Sequence, residues 1–260
     1  MPDPLPPVVV VADDFGMSDA VNAGILRAFE RNLITCTSLM ANMPAFDAAV
    51  TEARTRGLMD RLGVHLNLTQ GPALSQEFRR CRRFCTPDGV LGWKHQNVWS
   101  LDTSERQGIA AEWRAQLQRV RDAGVTPSHL DSHHHVHTAW PIGQIAMALA
   151  KEFGVPTLRL SRTCGKDPGL KVRLYKQFFN GRIKGAGLSR MTHFGSAHDV
   201  QDVIANPGGP VEVMTHPQLT ADGRLINHKN GELLEPLIEG LGIRDRMVSY
   251  AELMGRPVAA

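Results

Sequence analysis

The run Val8-Val9-Val10-Val11-Ala12 is apolar without interruption and leads directly into Asp13-Asp14. A strand with no polar alternation has no side for water, so both of its faces must be covered. Parallel sheets flanked by helices meet that condition. Similar short apolar runs recur at 37–41, 62–68, 127–131, 157–160, about 191–194 and Val211–Thr215. Helical spacing fills the stretches between them, at 18–31 with Ser18 as N-cap, 45–56, 104–123, 142–153 and 170–183. In 104–123, Ser104 and Gln107 read as a capping box, Ile109, Trp113, Leu117 and Val120 share one face, and Gly124 ends the helix. A last strand–helix unit reads at 247–254. Repeated βα units predict a parallel sheet, and eight possible strands in 260 residues predict an α/β chain folded as a closed or distorted (β/α) TIM-like barrel. An open doubly wound sheet is the alternative.

No repeat, low-complexity tract or Pro/Gly-rich linker divides the chain, so 1–260 reads as a single domain. The stretch at about 71–103 lacks periodicity and reads as a long, functional insertion. A hydrophobic content of 42% with 21% charged residues excludes a disordered chain. No apolar run approaches the ~20 residues needed to span a bilayer, so membrane insertion is not expected. The N-terminus MPDPLPP lacks the basic region of a secretion signal. Cys36, Cys81, Cys85 and Cys164 are too scattered for a disulfide framework, and Cys81-x3-Cys85 has no second pair to complete a zinc ribbon. A reduced, cytoplasmic protein is the expectation. The net charge of +3 is weak for a nucleic-acid binder. Arg79-Arg80-Cys81-Arg82-Arg83 reads as a solvated loop face, with a phosphate or polyanion site as its rival. Parallel barrels are frequently dimeric, but no exposed apolar stripe argues for it here, so a homodimer stays open.

Polar residues gather where the strands end, which is where barrel enzymes place their chemistry. Asp13 and Asp14 close the first strand, and paired carboxylates after an apolar run are costly unless something binds them. Asp-Phe-Gly also occurs in kinases, but no Gly-rich loop or His-Arg-Asp segment accompanies it here. In the third strand, His65 and Asn67 alternate with Val64, Leu66 and Leu68 and so share a face. Five histidines fall between His129 and His137, with Asp131 among them. Alternation sets His129, Asp131 and His133 on one side, with His135 and His137 just beyond. Packing does not explain such density; metal ligation and its supporting contacts do. A histidine tag would sit at a terminus and would not contain Leu, Asp and Ser. Arg159 is a cation inside an apolar strand and implies a carboxylate partner. His216 stands at another strand end, before Pro217. No G-x-S-x-G, P-loop or G-x-G-x-x-G occurs.

Four segments together resemble the YdjC/ChbG family of carbohydrate deacetylases. They are Ala12-Asp13-Asp14-Phe15-Gly16, Gly63-Val64-His65-Leu66-Asn67-Leu68-Thr69, the run from Thr126 to His137, and Thr215-His216-Pro217. The resemblance implies a barrel-like fold and hydrolysis of the N-acetyl group of an amino sugar or chitobiose-like oligosaccharide. It also implies one divalent metal ion held by Asp14, His65 and His133, with Asp13 as catalytic base. Magnesium is the ion usually named for the family, while two imidazoles and a carboxylate equally admit zinc or another transition ion. His216 is then the candidate general acid, and Arg159 the partner of Asp13 or a structural ion pair. Asn67, His129, Asp131, His135 and His137 are left to orient ligands or touch substrate. Gln218 replaces a glycine common in the family and is expected to alter the sugar pocket. The implied partner is a small acetylated sugar, with no nucleic acid. Rival readings are an amidohydrolase, suggested by His135-x-His137, a sugar isomerase, and a non-catalytic metal- or sugar-binding protein.

Overall fold

The computed structural model describes residues 5–92 and 98–255. Residues 1–4, 93–97 of the expected insertion, and 256–260 at the end of the single-domain span lie outside the described residues. The first half runs β1 (Val8–Phe15), α1 (Asp19–Glu30), β2 (Cys36–Leu39), α2 (Phe46–Thr55), β3 (Leu62–Leu66), α3 (Gln76–Arg79), α4 (Thr103–Asp122) and β4 (Leu130–Ser132). The second half runs α5 (Trp140–Glu152), α6 (Leu170–Gly185), β5 (His193–Ser196), β6 (Val211–Thr215), β7 (Pro217–Leu219), β8 (Leu225–Asn227), β9 (Glu232–Leu233), α7 (Leu234–Glu239) and α8 (Tyr250–Leu253).

Six strands form one parallel sheet in the order β4-β3-β2-β1-β6-β5. Every residue of β1 at its centre is buried, as the unbroken apolar run requires. The sheet curls so that a single irregular segment spans its two edges. Leu158 bridges Leu130 of β4, and Thr163 N–H donates to the Phe194 carbonyl of β5 at 2.9 Å. The result is a distorted (β/α) barrel. The strand expected at 157–160 is reduced to that bridge, because its amides also serve a loop: Leu158 N–H donates to the Leu188 carbonyl. The late strand expected at 247–254 is likewise one bridge, Met247 to Val8, followed by α8.

Ser18 caps α1 through Val21 N–H, and Ile109, Trp113, Leu117 and Val120 of α4 are all buried, as their spacing predicts. The capping box of α4, however, is Asp102 with Glu105. Ser104 already lies inside the first turn, where its hydroxyl cannot cap. The small antiparallel sheet β7-β8-β9 has no counterpart in the sequence reading. It packs on α1 at Gly24, where an added Cβ would stand 2.5 Å from Gln218 Cα. The basic run is partly engaged in holding its own loop: Arg79 donates to the Ala73 carbonyl, and Arg83 pairs with Glu105 at 3.3 Å.

Candidate active site

The site begins with a defect in β1. Between Ala12 and Phe15 the strand advances three residues while β2 advances two, from Thr37 to Leu39. One residue is therefore extra, a β-bulge, and Asp14 takes a left-handed φ of 74° within it. In a regular strand, neighbours point to opposite faces. The bulge instead turns both carboxylates toward the same end of the barrel, with Asp13 lining a cavity and Asp14 behind it. His134 and His135, past the end of β4, are also left-handed, with φ of 54° and 55°. Non-glycine residues hold such conformations at a cost of about 1–3 kcal/mol each, and they cluster at functional sites.

Asp14, His65 and His133 converge. Asp14 Oδ1 is 2.8 Å from His133 Nδ1 and 3.2 Å from His65 Nε2, and the two imidazole nitrogens are 3.4 Å apart. All three residues are buried, and apart from these two imidazole nitrogens the Asp14 carboxylate has no hydrogen-bond partner among the described residues. Three lone-pair donors facing one point at this spacing are compatible with a metal site. Burial pushes the Asp14 carboxyl up, but His133 and His65 outweigh it and hold it well below the usual carboxylate range. The far nitrogens of both imidazoles are committed elsewhere. His65 Nδ1–H meets Asp131 Oδ1 at 2.6 Å, and His133 Nε2–H meets Gln70 Oε1 at 3.2 Å. These bonds turn His65 Nε2 and His133 Nδ1 toward Asp14, where a bound metal ion would take the place of any proton they carry. Burial lowers His65, but the charges of Asp131 and Asp13 dominate and raise it to about 10.

Arg159 joins the carboxylates beneath. Its Nη1 and Nη2 grip both oxygens of Asp13 at 2.8 Å, Nη2 also reaches Asp131 at 2.8 Å, and Nε donates to Glu212 at 2.5 Å. Tyr250 donates its hydroxyl to the other Glu212 oxygen at 2.7 Å. Burial raises Asp13 above its ordinary value despite the pull of Arg159. Three carboxylates around one guanidinium leave negative charge in excess. His216 Nε2 stands 3.8 Å from Asp13 Oδ2, and burial drops it well below the usual histidine range. Asp13, His65, His133, His135 and His216 all line a cavity of about 410 Å³.

The remaining histidines divide. His135 faces the cavity, its ring edge-on to Phe194. His137 does not: it is buried, taking Ser132 Oγ at one nitrogen and the Arg159 carbonyl at the other. His129 lies away from the cavity, stacked on Tyr250 with centroids 4.5 Å apart. Asn67 ties the adjacent loop through Asn42, Gln70 and Thr69. Gln218 sits on β7 against Gly24 of α1. Glu212, Tyr250, Ser38 and Gln70 went unread in the sequence. Glu212 alone carried a signal, as an acid inside an apolar strand matching the cation of Arg159.

The profile of the family described as YdjC-like protein matches residues 7–253. The chain belongs to the YdjC-like family. The carbohydrate deacetylase of Halalkalibacterium halodurans is 32% identical over 211 residues, 81% of this chain and 84% of that protein. The carbohydrate deacetylase of Vibrio parahaemolyticus is 33% identical over 232 residues, 89% of this chain and 85% of the relative. The same fold occurs in a solved structure described as a putative cellobiose-phosphate cleavage protein from Enterococcus faecalis. It superposes with a TM-score of 0.67 at 22% identity, over 96% of this chain and 99% of that one.

Proposed function

We propose that this YdjC-like chain is a metal-dependent carbohydrate deacetylase that removes the N-acetyl group of an amino sugar or chitobiose-like oligosaccharide. The observation that carries the reading is the buried convergence of Asp14, His65 and His133 on one point, beside Asp13 and His216. The names of the curated relatives support the substrate class. Asp14, His65 and His133 would hold one divalent ion. Magnesium follows the family resemblance, and the two imidazoles favour zinc or another transition ion.

The ion would polarise the acetyl carbonyl and make water a better nucleophile. Asp13, its proton affinity raised by burial, takes the proton of the attacking water through an oxygen in the cavity wall. Arg159 keeps that carboxylate aimed by its two-point grip. His216 Nε2 stands 3.8 Å from Asp13 Oδ2 on the same cavity wall, where it is the candidate general acid for the departing amine. Asp131 orients His65, and His135 presents its ring to the substrate. The setting is cytoplasmic, supported by four unpaired cysteines.

The test is acetate release from N,N'-diacetylchitobiose by chelated enzyme re-supplied with magnesium, zinc, cobalt or manganese in turn. Metal-restored acetate release is expected. Full activity after complete chelation would refute metal dependence, and ketose formation in place of acetate would favour an isomerase.

A further inference from the structure

The outward side of α6 is apolar where a solvated helix is polar. At 3.6 residues per turn, Leu170, Leu174 and Phe178 rise along one line, and they are 61%, 55% and 51% exposed. The inward side buries Phe179, Asn180 and Ile183. Among the described residues, eight large hydrophobic side chains are exposed, and with Val172 this one helix supplies four of them. Trp140 of α5 widens the stripe, its ring 5.0 Å from that of Phe178. The stripe also corrects the sequence-based expectation that no such surface exists.

Cations border it on both sides. Helical projection puts Lys171 and Arg182 along one margin and Arg173 and Lys184 along the other, all exposed. With Lys176, α6 carries five basic residues and no acidic one. Asp167, just before the helix, stands 3.7 Å from Arg173. The whole chain has 29 basic and 26 acidic residues, so without α6 it would have 24 against 26. Without a counter-charge of its own, α6 is a locally basic surface.

We propose that α6 is a docking helix for the surface of an anionic phospholipid bilayer. An exposed apolar stripe between two rows of cations is the geometry of a helix lying in the headgroup layer. No helix among the described residues is long and apolar enough to cross a membrane, so the association is peripheral. A second copy of the chain fits less well, because a two-fold contact would bring the four bordering cations of each copy together. Nucleic acid would use the cations and leave the aliphatic stripe in water. The placement has a functional consequence. α6 forms one wall of a cleft of about 640 Å³, and Arg162 lines both that cleft and the candidate active-site cavity. Docking would bring the mouth of the site close to the headgroups. The inference is independent of the deacetylase reading.

The experiment is co-sedimentation of the full-length protein with phosphatidylglycerol–phosphatidylcholine vesicles and with phosphatidylcholine vesicles alone. Binding is expected to the anionic vesicles only, and to weaken as salt is added. The double variant Lys171→Glu/Arg182→Glu, which removes two cations and adds two anions, should bind at least about 30-fold more weakly, and Leu174→Asp/Phe178→Asp should not bind. All four positions are exposed, so melting temperature and activity on a soluble substrate should stay at wild-type values. That control separates failure of docking from failure of the deacetylase reading. Absence of the protein from the anionic pellet would overturn the proposal, as would wild-type binding by both variants. A dimer dissociated by Leu174→Asp/Phe178→Asp would assign the stripe to a second copy, and duplex-DNA binding lost in Lys171→Glu/Arg182→Glu would assign the cations to nucleic acid.

Discussion

Replacing Asp131 by Asn keeps the outline of the side chain and removes its charge. In the native site Oδ1 takes His65 Nδ1–H at 2.6 Å, while Oδ2 takes Arg159 Nη2 at 2.8 Å and Ser38 Oγ at 3.0 Å. An asparagine has one acceptor oxygen and one donor group. If its oxygen faces His65, its amide hydrogens oppose the guanidinium; if it flips, they oppose His65 Nδ1–H. Either orientation loses one charge-assisted hydrogen bond, worth about 1.5–3 kcal/mol. Partners standing behind metal-binding histidines are worth about 10–100-fold in metal affinity, or roughly 1.4–2.8 kcal/mol. The two estimates overlap, so the metal dissociation constant should rise by about 10–100-fold, with acetate release recovering at higher metal concentration. Calorimetric titration of chelated wild-type and Asp131→Asn proteins, with zinc and with magnesium, measures it. A natively folded variant with metal affinity within about threefold of wild type would refute the placing of Asp131 behind a metal ligand.

Asp13→Asn should abolish acetate release, by about 10²-fold or more, while metal still binds, since Asp13 is outside the Asp14–His65–His133 group; retained turnover would remove Asp13 as the base. Gly63→Ala would place a Cβ 2.4 Å from His129 Cε1, in a buried ring stacked on Tyr250, and should lower stability by about 1–3 kcal/mol in urea titration. An unchanged midpoint would show that the His129 ring yields freely. Burial drops His129 from 6.5 to about 3, so the unfolded chain binds this proton first and stability is lost as pH falls from 6.5 toward 3. The contribution is of order 5 kcal/mol, read as the difference in acid sensitivity between wild type and His129→Gln. Equal slopes in the two proteins would discard it.

Local patterns carried the parts of this molecule that depend on neighbours in sequence. The unbroken apolar run at Val8 dictates a doubly covered strand, the spacing of Ile109, Trp113, Leu117 and Val120 dictates the buried face of α4, and strand alternation gives His65 and Asp131 a common face on paired strands. Those periods come from backbone geometry alone, which is why they are legible without a fold. Tertiary structure decided the rest. Alternation assigns Asp13 and Asp14 to opposite faces, and only a bulge set by pairing with β2 turns both inward. The partners of Arg159 come from Asp13, Asp131 and Glu212 on three different strands, a contact that no sequence interval encodes. His129 and His137 read like site residues because they stand in the same short run as His133. The end of β4 and the left-handed backbone at His134 and His135 broke the alternation and sent His137 into the core. The apolar stripe of α6 was hidden for the converse reason. A helix reveals which of its faces is apolar, but only the packing of Phe179 and Ile183 shows which one is left facing water.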